Sequence, residues 1–300
     1  MSAETIAVEA SKDEGGENFP VGSFLLAPRH RPVIFAFYRV ARMSDDIADH
    51  ATLSPEEKLA RLAAIAASIR GESAEVPEAV GLRAALAERQ ITDAHVLDLL
   101  EAFRRDVTKT RYVTWDELMD YCRYSACPVG RFMLDVHGES RATWPASDAL
   151  CSALQVINHL QDCAKDFREI DRVYIPADAL AAAGLTVEAL AAPKASPQLK
   201  GVINTLAART LTLVDQGAPL PGAIKDFRLR LEIGVIHSVA QSLTQRLMTA
   251  DPLSEKVHHS KVEMAFAALR GVGRALIGKL ALGAGRNLGH KDASSPGAPS

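Results

Sequence analysis

The chain has no run of 18 or more uninterrupted apolar residues, which argues against a membrane span. Strand signals are nearly absent. Cysteine is scarce: Cys122, Cys127, Cys151 and Cys163 show neither C-x-x-C spacing nor an intervening histidine pair, which argues against zinc. All four fall in expected helices and read as reduced core residues of a cytoplasmic protein. Neither charge sign is in marked excess, with 34 basic against 37 acidic residues, so there is no general footprint for nucleic acid. The N-terminus lacks the basic start and apolar stretch of a signal peptide. Gly271-Val272-Gly273 has Leu276 where a third glycine would fall and lies in a helical pattern, so it is no dinucleotide fingerprint and no NADPH is expected.

What the sequence does have is helix after helix, in Ala- and Leu-rich segments of 3.6-residue periodicity, which predicts an all-α protein. Pro32 opens a first long helix. Ser54-Pro55-Glu56-Glu57 is a capping box with proline at the first helical position, followed by the stripe Leu59, Leu62, Ile65 and Ile69. Thr92 or Asp93 starts a helix through Val96, Leu99, Leu100 and Phe103, and Thr114 with Glu117 makes a second capping box. A helix is expected from about 147 to 167, then a short extended exit over 171–176 and small helices over 177–192. Longer helices follow over about 197–215, 221–249 and 260–281. Residues 1–16 and 284–300 read as a disordered lead and tail, leaving 17–283 as one domain.

Two of these helices carry aspartates at one-turn spacing among apolar neighbours. Asp45 sits over Asp49, beside Tyr38, Val40, Ala41 and Ile47. Asp162 sits over Asp166, beside Leu154, Val156, Ile157 and Leu160. Two unit charges about 4 Å apart repel by roughly 1 kcal/mol in water and about 4 kcal/mol at an effective dielectric of 20. A divalent cation between the carboxylates removes that cost, and oxygen ligands at this spacing suit a hard cation that keeps several waters.

The chain resembles the squalene/phytoene synthases, the head-to-head class of isoprenyl diphosphate synthases. The blocks that carry the likeness are Glu17-Asn18-Phe19-Pro20-Val21, Phe37-Tyr38-Arg39 through Asp49, Tyr121-Cys122-Arg123 through Val129-Gly130-Arg131, and Asn158-His159-Leu160-Gln161-Asp162-Cys163 through Arg172-Val173-Tyr174-Ile175-Pro176. The branch it looks most like is the bacterial hydroxysqualene synthases of hopanoid biosynthesis. The resemblance implies an isoprenoid-synthase helical bundle around a central apolar cavity, its two acidic helices facing each other across the mouth. It implies catalytic roles for Asp45, Asp46, Asp49, Asp162, Asp166 and Tyr121. Mg²⁺ would be held by Asp45, Asp49, Asn158, Asp162 and Asp166. Asn18, Arg42, Tyr38, Gln155 and Asn158 would contact substrate, with Phe37, Tyr38, Tyr121 and Phe132 near the cavity centre.

The chemistry implied is ionisation of a prenyl diphosphate. Metal-held carboxylates and Arg42 would stabilise the leaving diphosphate, and an apolar pocket roughly the length of a C30 chain would shield the cation. In the branch named, presqualene diphosphate ionises, rearranges and is captured by one water. Two alternatives stand beside it: condensation of two prenyl diphosphates to presqualene diphosphate or phytoene, and a non-catalytic assembly protein of the same fold. His159 reads as structural, turned about 100° from Asn158, and His258 and His259 as exposed loop residues. The segment from Val262 to Arg286, with Arg270, Arg274 and Lys279 among apolar residues, is the pattern of a helix making peripheral membrane contact or, more simply, of a packing helix with solvated arginines.

Overall fold

Proline and hydroxyl caps punctuate the chain into helices. The computed structural model describes residues 27–259, 263, 269–273 and 275. Within them lie twelve α-helices. The first four are α1 (Arg31–Ala48), α2 (Pro55–Arg70), α3 (Pro77–Glu88) and α4 (Ala94–Thr108). Next come α5 (Trp115–Ser125), α6 (Cys127–Val136), α7 (Trp144–Gln161) and α8 (Cys163–Ile170). The last four are α9 (Ala177–Ala182), α10 (Pro197–Gly217), α11 (Leu220–Ala223) and α12 (Phe227–Leu247). No strand ladder forms among the described residues; an isolated parallel bridge joins Arg111 to Val173 in the extended exit. The expected lead and tail, Asn18 and most of the 260–281 helix lie outside the described residues.

The caps behave as their chemistry dictates. Ser54 accepts from the Glu57 amide while the Glu57 carboxylate accepts from the Ser54 amide, completing the box, and Gly71 closes α2 in the left-handed region at φ 82°. Thr114 accepts from the Glu117 amide, but Glu117 turns to Val113 and Lys109 instead of returning to the cap. Three boundaries differ from the sequence expectation. The Pro77–Glu88 helix was not expected; Pro77 sits at its start, and Ala79, Leu82 and Leu86 bury its inner face. The long acidic helix is broken at Asp162, whose φ and ψ of −100° and 7° leave the helical range, although the Asp166 amide still donates to the Asp162 carbonyl at 2.8 Å. The 221–249 helix is divided at Ile224, whose extended backbone leads to Asp226, the side-chain cap of α12.

Two apolar clusters result. One gathers α1–α4 with Phe132 and Val136 of α6; the other gathers α5 and α7 through α12. Phe37 stacks on Phe132 with ring centroids 4.0 Å apart, which ties α1 to α6. All four cysteines are free and lie in helices; Cys151 is half-buried and the others buried. Gly271 packs so closely on Gly234 of α12 that a Cβ on either would overlap the other's carbonyl oxygen, while Leu269 and Arg270 face solvent. Of the two glycines singled out in the sequence, Gly271 therefore serves helix packing, whereas Gly273 has open space beside it. Among the described residues no helix is long and apolar enough to cross a membrane.

Phe132 is 1% exposed. Phe132→Ala leaves a cavity against Phe37 and is expected to cost about 3–5 kcal/mol. Urea denaturation checks this; a loss under about 1 kcal/mol would contradict the packing described.

Candidate active site

A cavity of about 290 Å³ lies where α1, α4, α5, α7, α8 and the exit segment meet. Its acidic side is made by Asp45 and Asp49 from α1 and its C-terminal cap, Asp166 from α8, and Arg172. The rest is lined by Leu99, Ala102, Phe103 and Asp106 of α4, Tyr121 and Ser125 of α5, Gln155 and His159 of α7, Ile170, and Tyr174. At this volume it seats the reacting end of a ligand. It is smaller than the pocket of C30 length expected from the sequence.

Asp106 organises the inner wall. It is 7% exposed and accepts the Tyr121 hydroxyl at 2.8 Å and the Tyr174 hydroxyl at 3.4 Å. Burial pushes its carboxyl up to about 7, against the pull of Arg172 and the Tyr121 hydrogen bond. Arg172 donates from Nη1 to Asp49 at 3.1 Å and from Nη2 to the Asp106 carbonyl at 3.1 Å, with its Nε 3.9 Å from the Asp106 carboxylate. Burial alone would lower the Arg172 pKa; Tyr174, Asp106 and Asp49 outweigh it and hold the guanidinium charged. His159 stacks on Tyr174 with ring centroids 3.4 Å apart and lies 3.2 Å from the Gln155 amide. Burial and Arg172 push its pKa down to about 3, so the ring is neutral. Tyr121 is also neutral, its phenol pushed well above 10 by burial and by Tyr174 and Asp106.

The expected site residues divide as follows. Asp45, Asp49, Asp166, Tyr121 and Gln155 share the cavity. Asp46 does not line it and pairs with Arg42, which also donates to Asp45 at 3.1 Å. Arg42 and Tyr38 lie on α1 outside the lining, and Asn158 and Asp162 are half-buried but likewise outside it. His159, read from the sequence as turned away, lines the cavity instead, because the lining face of α7 runs through Gln155 and His159, one turn apart, and not through Asn158. His258 is exposed as expected, whereas His259 is half-buried against the Ser242 hydroxyl at 2.9 Å. Asp106, Ser125, Arg172 and Tyr174 were not singled out. Asp106 had a signal: an acid on the apolar stripe Leu99, Ala102, Phe103. Arg172 and Tyr174 also had one, since alternate residues of an extended segment share a face.

The carboxylates fit a hydrated divalent cation. Burial and the charge of Asp162 push the Asp166 carboxyl up to about 7, so its anion lacks a positive partner strong enough to offset both. Among the described residues no three Asp, Glu, His or Cys converge into a closed cage. Magnesium does not need one, since it typically takes one or two carboxylates and completes its shell with water and substrate phosphate.

The bundle has the all-α fold of the isoprenoid synthases. The chain belongs to the squalene/phytoene synthase family, which it matches over residues 12–263. It is 56% identical over 257 residues to the hydroxysqualene synthase of Sinorhizobium fredii, covering 86% of this chain and 87% of that protein. To the hydroxysqualene synthase of Rhodopseudomonas palustris it is 53% identical over 261 residues, covering 87% and 89%. The crystal structure of a squalene synthase from Alicyclobacillus acidocaldarius superimposes with a TM-score of 0.68 at 30% identity, over 77% of this chain and 88% of that one.

The Asp106 carboxyl stays protonated in the folded protein up to about pH 7, against about 3.9 when unfolded. Its contribution to stability is therefore full below about pH 4 and is lost as pH rises through about 7. The melting temperature of the wild type relative to Asp106→Asn is expected to fall across that window in metal-free buffer. A pH-independent difference would contradict the assignment.

Proposed function

We propose that this protein ionises presqualene diphosphate and directs rearrangement and capture by water, releasing hydroxysqualene and diphosphate; in class it is a carbon-oxygen lyase. The observation that carries the proposal is that Asp45 and Asp49 of the first acidic set and Asp166 of the second line one cavity, together with Arg172 and the rings of Tyr121, His159 and Tyr174. The likeness to proteins named hydroxysqualene synthase supports the choice of substrate.

Asp45, Asp49 and Asp166, with Asp162 one turn before the last, are the residues that would hold Mg²⁺. When bound, the metal supplies positive charge to the oxygens of the departing diphosphate. Arg172 adds a permanent cation on the same side, where charge-assisted hydrogen bonds to a phosphate oxygen are roughly twice as strong as neutral ones. Asp49 and Asp106 fix its orientation, so no reorganisation is needed as charge develops. Asp106 is a positioning residue. It aims the Tyr121 hydroxyl and the Arg172 fork together from the inner wall.

Tyr121, His159 and Tyr174 line the cavity as neutral rings; aromatic π systems attract a carbocation. Leu99, Ala102 and Phe103 exclude bulk water beside them. The reaction consumes no reductant. Work in the cytoplasm at the surface of the inner membrane fits so lipophilic a product, with the basic segment 262–286 as the contact. Flotation with anionic vesicles that is lost when Arg270, Arg274 and Lys279 are reversed in charge supports that contact; unchanged flotation argues against it.

Purified protein supplied with presqualene diphosphate and Mg²⁺ is expected to release diphosphate and form the alcohol, and to lose both with a chelator. Turnover of farnesyl diphosphate but not of presqualene diphosphate would favour the condensing reaction instead. Asp45→Asn and Asp166→Asn are each expected to lower turnover about 10²–10³-fold, the size of losing one electrostatic stabiliser, with helical circular dichroism unchanged. Wild-type rates in both variants would refute the metal role.

A further inference from the structure

The two acidic sets differ in the positive charge that stands on them. On the first, Arg42 donates from Nη1 to Asp45 at 3.1 Å and from Nη2 to Asp46, and Arg172 donates to Asp49 at 3.1 Å. Each acid of that set is already paired with a guanidinium. The second set has no such cover. Among the described residues neither Asp162 nor Asp166 forms an ion pair, and Arg172 and Lys165 act on Asp166 only through space.

The two arginines are not held alike. Arg172 is anchored on the Asp106 backbone carbonyl and the Tyr174 hydroxyl as well as on Asp49. The ion pairs of Arg42 both lie within α1, three and four residues further on. Burial alone would lower the Arg42 pKa; Asp45 and Asp46 outweigh it and keep the guanidinium charged. Its Nε–H is shut off from solvent and has no acceptor, which makes this seat an incomplete one. Both Nη atoms are spent on separate carboxylates, whereas a phosphate accepts two guanidinium N–H groups at once in a fork. Asp45 lines the cavity, so an anion seated there competes with it for Arg42.

We propose that Arg42 occupies the place of a metal ion on the first acidic set until diphosphate arrives. The proposal rests on the reaction assigned above and adds the order in which its site is filled. A divalent cation alone enters at Asp162 and Asp166, where no guanidinium is paired. Asp45 takes metal once diphosphate has drawn Arg42 away, while Arg172 stays anchored. Positive charge then stands beside Asp45 in both states, and its repulsion with Asp49 is never left uncompensated. Metal and diphosphate load the first set together, which ties assembly of the site to the presence of substrate.

The test is equilibrium dialysis of the full chain against Mn²⁺, with and without inorganic diphosphate; manganese diphosphate formed without protein is equal on both sides. Without diphosphate, wild type is expected to bind Mn²⁺ with an affinity that Asp166→Asn weakens and Asp45→Asn leaves unchanged. Arg42→Gln is expected to bind metal alone about tenfold more tightly at the first set, the effect of removing one positive charge roughly 6 Å from a dication in water. Adding Asp45→Asn to it abolishes that gain, and Arg42→Lys, which keeps the charge, stays close to wild type. With diphosphate, wild type takes up further Mn²⁺, which Asp45→Asn removes. Unchanged metal-alone binding in an Arg42→Gln variant of wild-type helical circular dichroism overturns the proposal. So does metal-alone binding in the wild type that depends on Asp45, or an equal gain in Arg42→Lys, which would make the effect structural. Absence of any diphosphate-dependent uptake would remove the underlying reading of the site, and it is read from the wild type alone.

Discussion

Arg172 brings a permanent charge to a place almost sealed from water, and the site is arranged around that charge. It comes from the extended exit after α8, yet its fork reaches Asp49 at the end of α1 and both the backbone and the carboxylate of Asp106 on α4. Those partners belong to the α1–α4 half of the molecule, whereas Val173, Tyr174 and Ile175 beside the arginine are packed in the other half. A buried ion pair of this kind is weak evidence for net stability, because desolvation consumes much of the attraction, but removing one partner strands the other. Its value here is geometric. It sets the distance between the first acidic ladder and the wall that carries Tyr121, Tyr174 and His159.

From that constraint the division of labour in the cavity follows. Asp45, Asp49, Asp166 and Arg172 bring charge to the cavity lining. Burial keeps their ring neighbours in the same lining neutral: Tyr121 and Tyr174 as phenols, His159 as free imidazole. A leaving anion and a carbocation need opposite surroundings within a few ångströms of each other. The bundle supplies them by bringing acids of α1 and α8 into one cavity with rings from α5, α7 and the exit segment.

Much of this was legible in the residues. The all-α class followed from 3.6-residue periodicity, and the Ser54 capping box formed as its spacing requires. The two aspartate pairs marked two helices that both contribute to the cavity lining, through Asp45 and Asp49 on one and Asp166 on the other. What was not legible depends on tertiary direction. One-turn spacing says that Asp162 and Asp166 share a helix face, but the break at Asp162 sends only Asp166 into the cavity. Angular reasoning from Asn158 turned His159 away, because the orientation of α7 is set by its packing on α10, α6 and α12 and not by its own acids. Asp106 belongs to no motif. It is recognisable once burial and its three partners, Tyr121, Tyr174 and Arg172, are seen together.

The central claim is that the acidic side of this cavity is a cation site shared by α1 and α8. A crystal structure of the protein with Mn²⁺ and inorganic diphosphate, read by anomalous scattering, tests it most directly. The account predicts metal peaks between the carboxylates of Asp45 and Asp49 on one side and Asp166 on the other, bridged to diphosphate oxygens within reach of Arg172. Metal bound elsewhere, or diphosphate seated without contact to either helix, would contradict it.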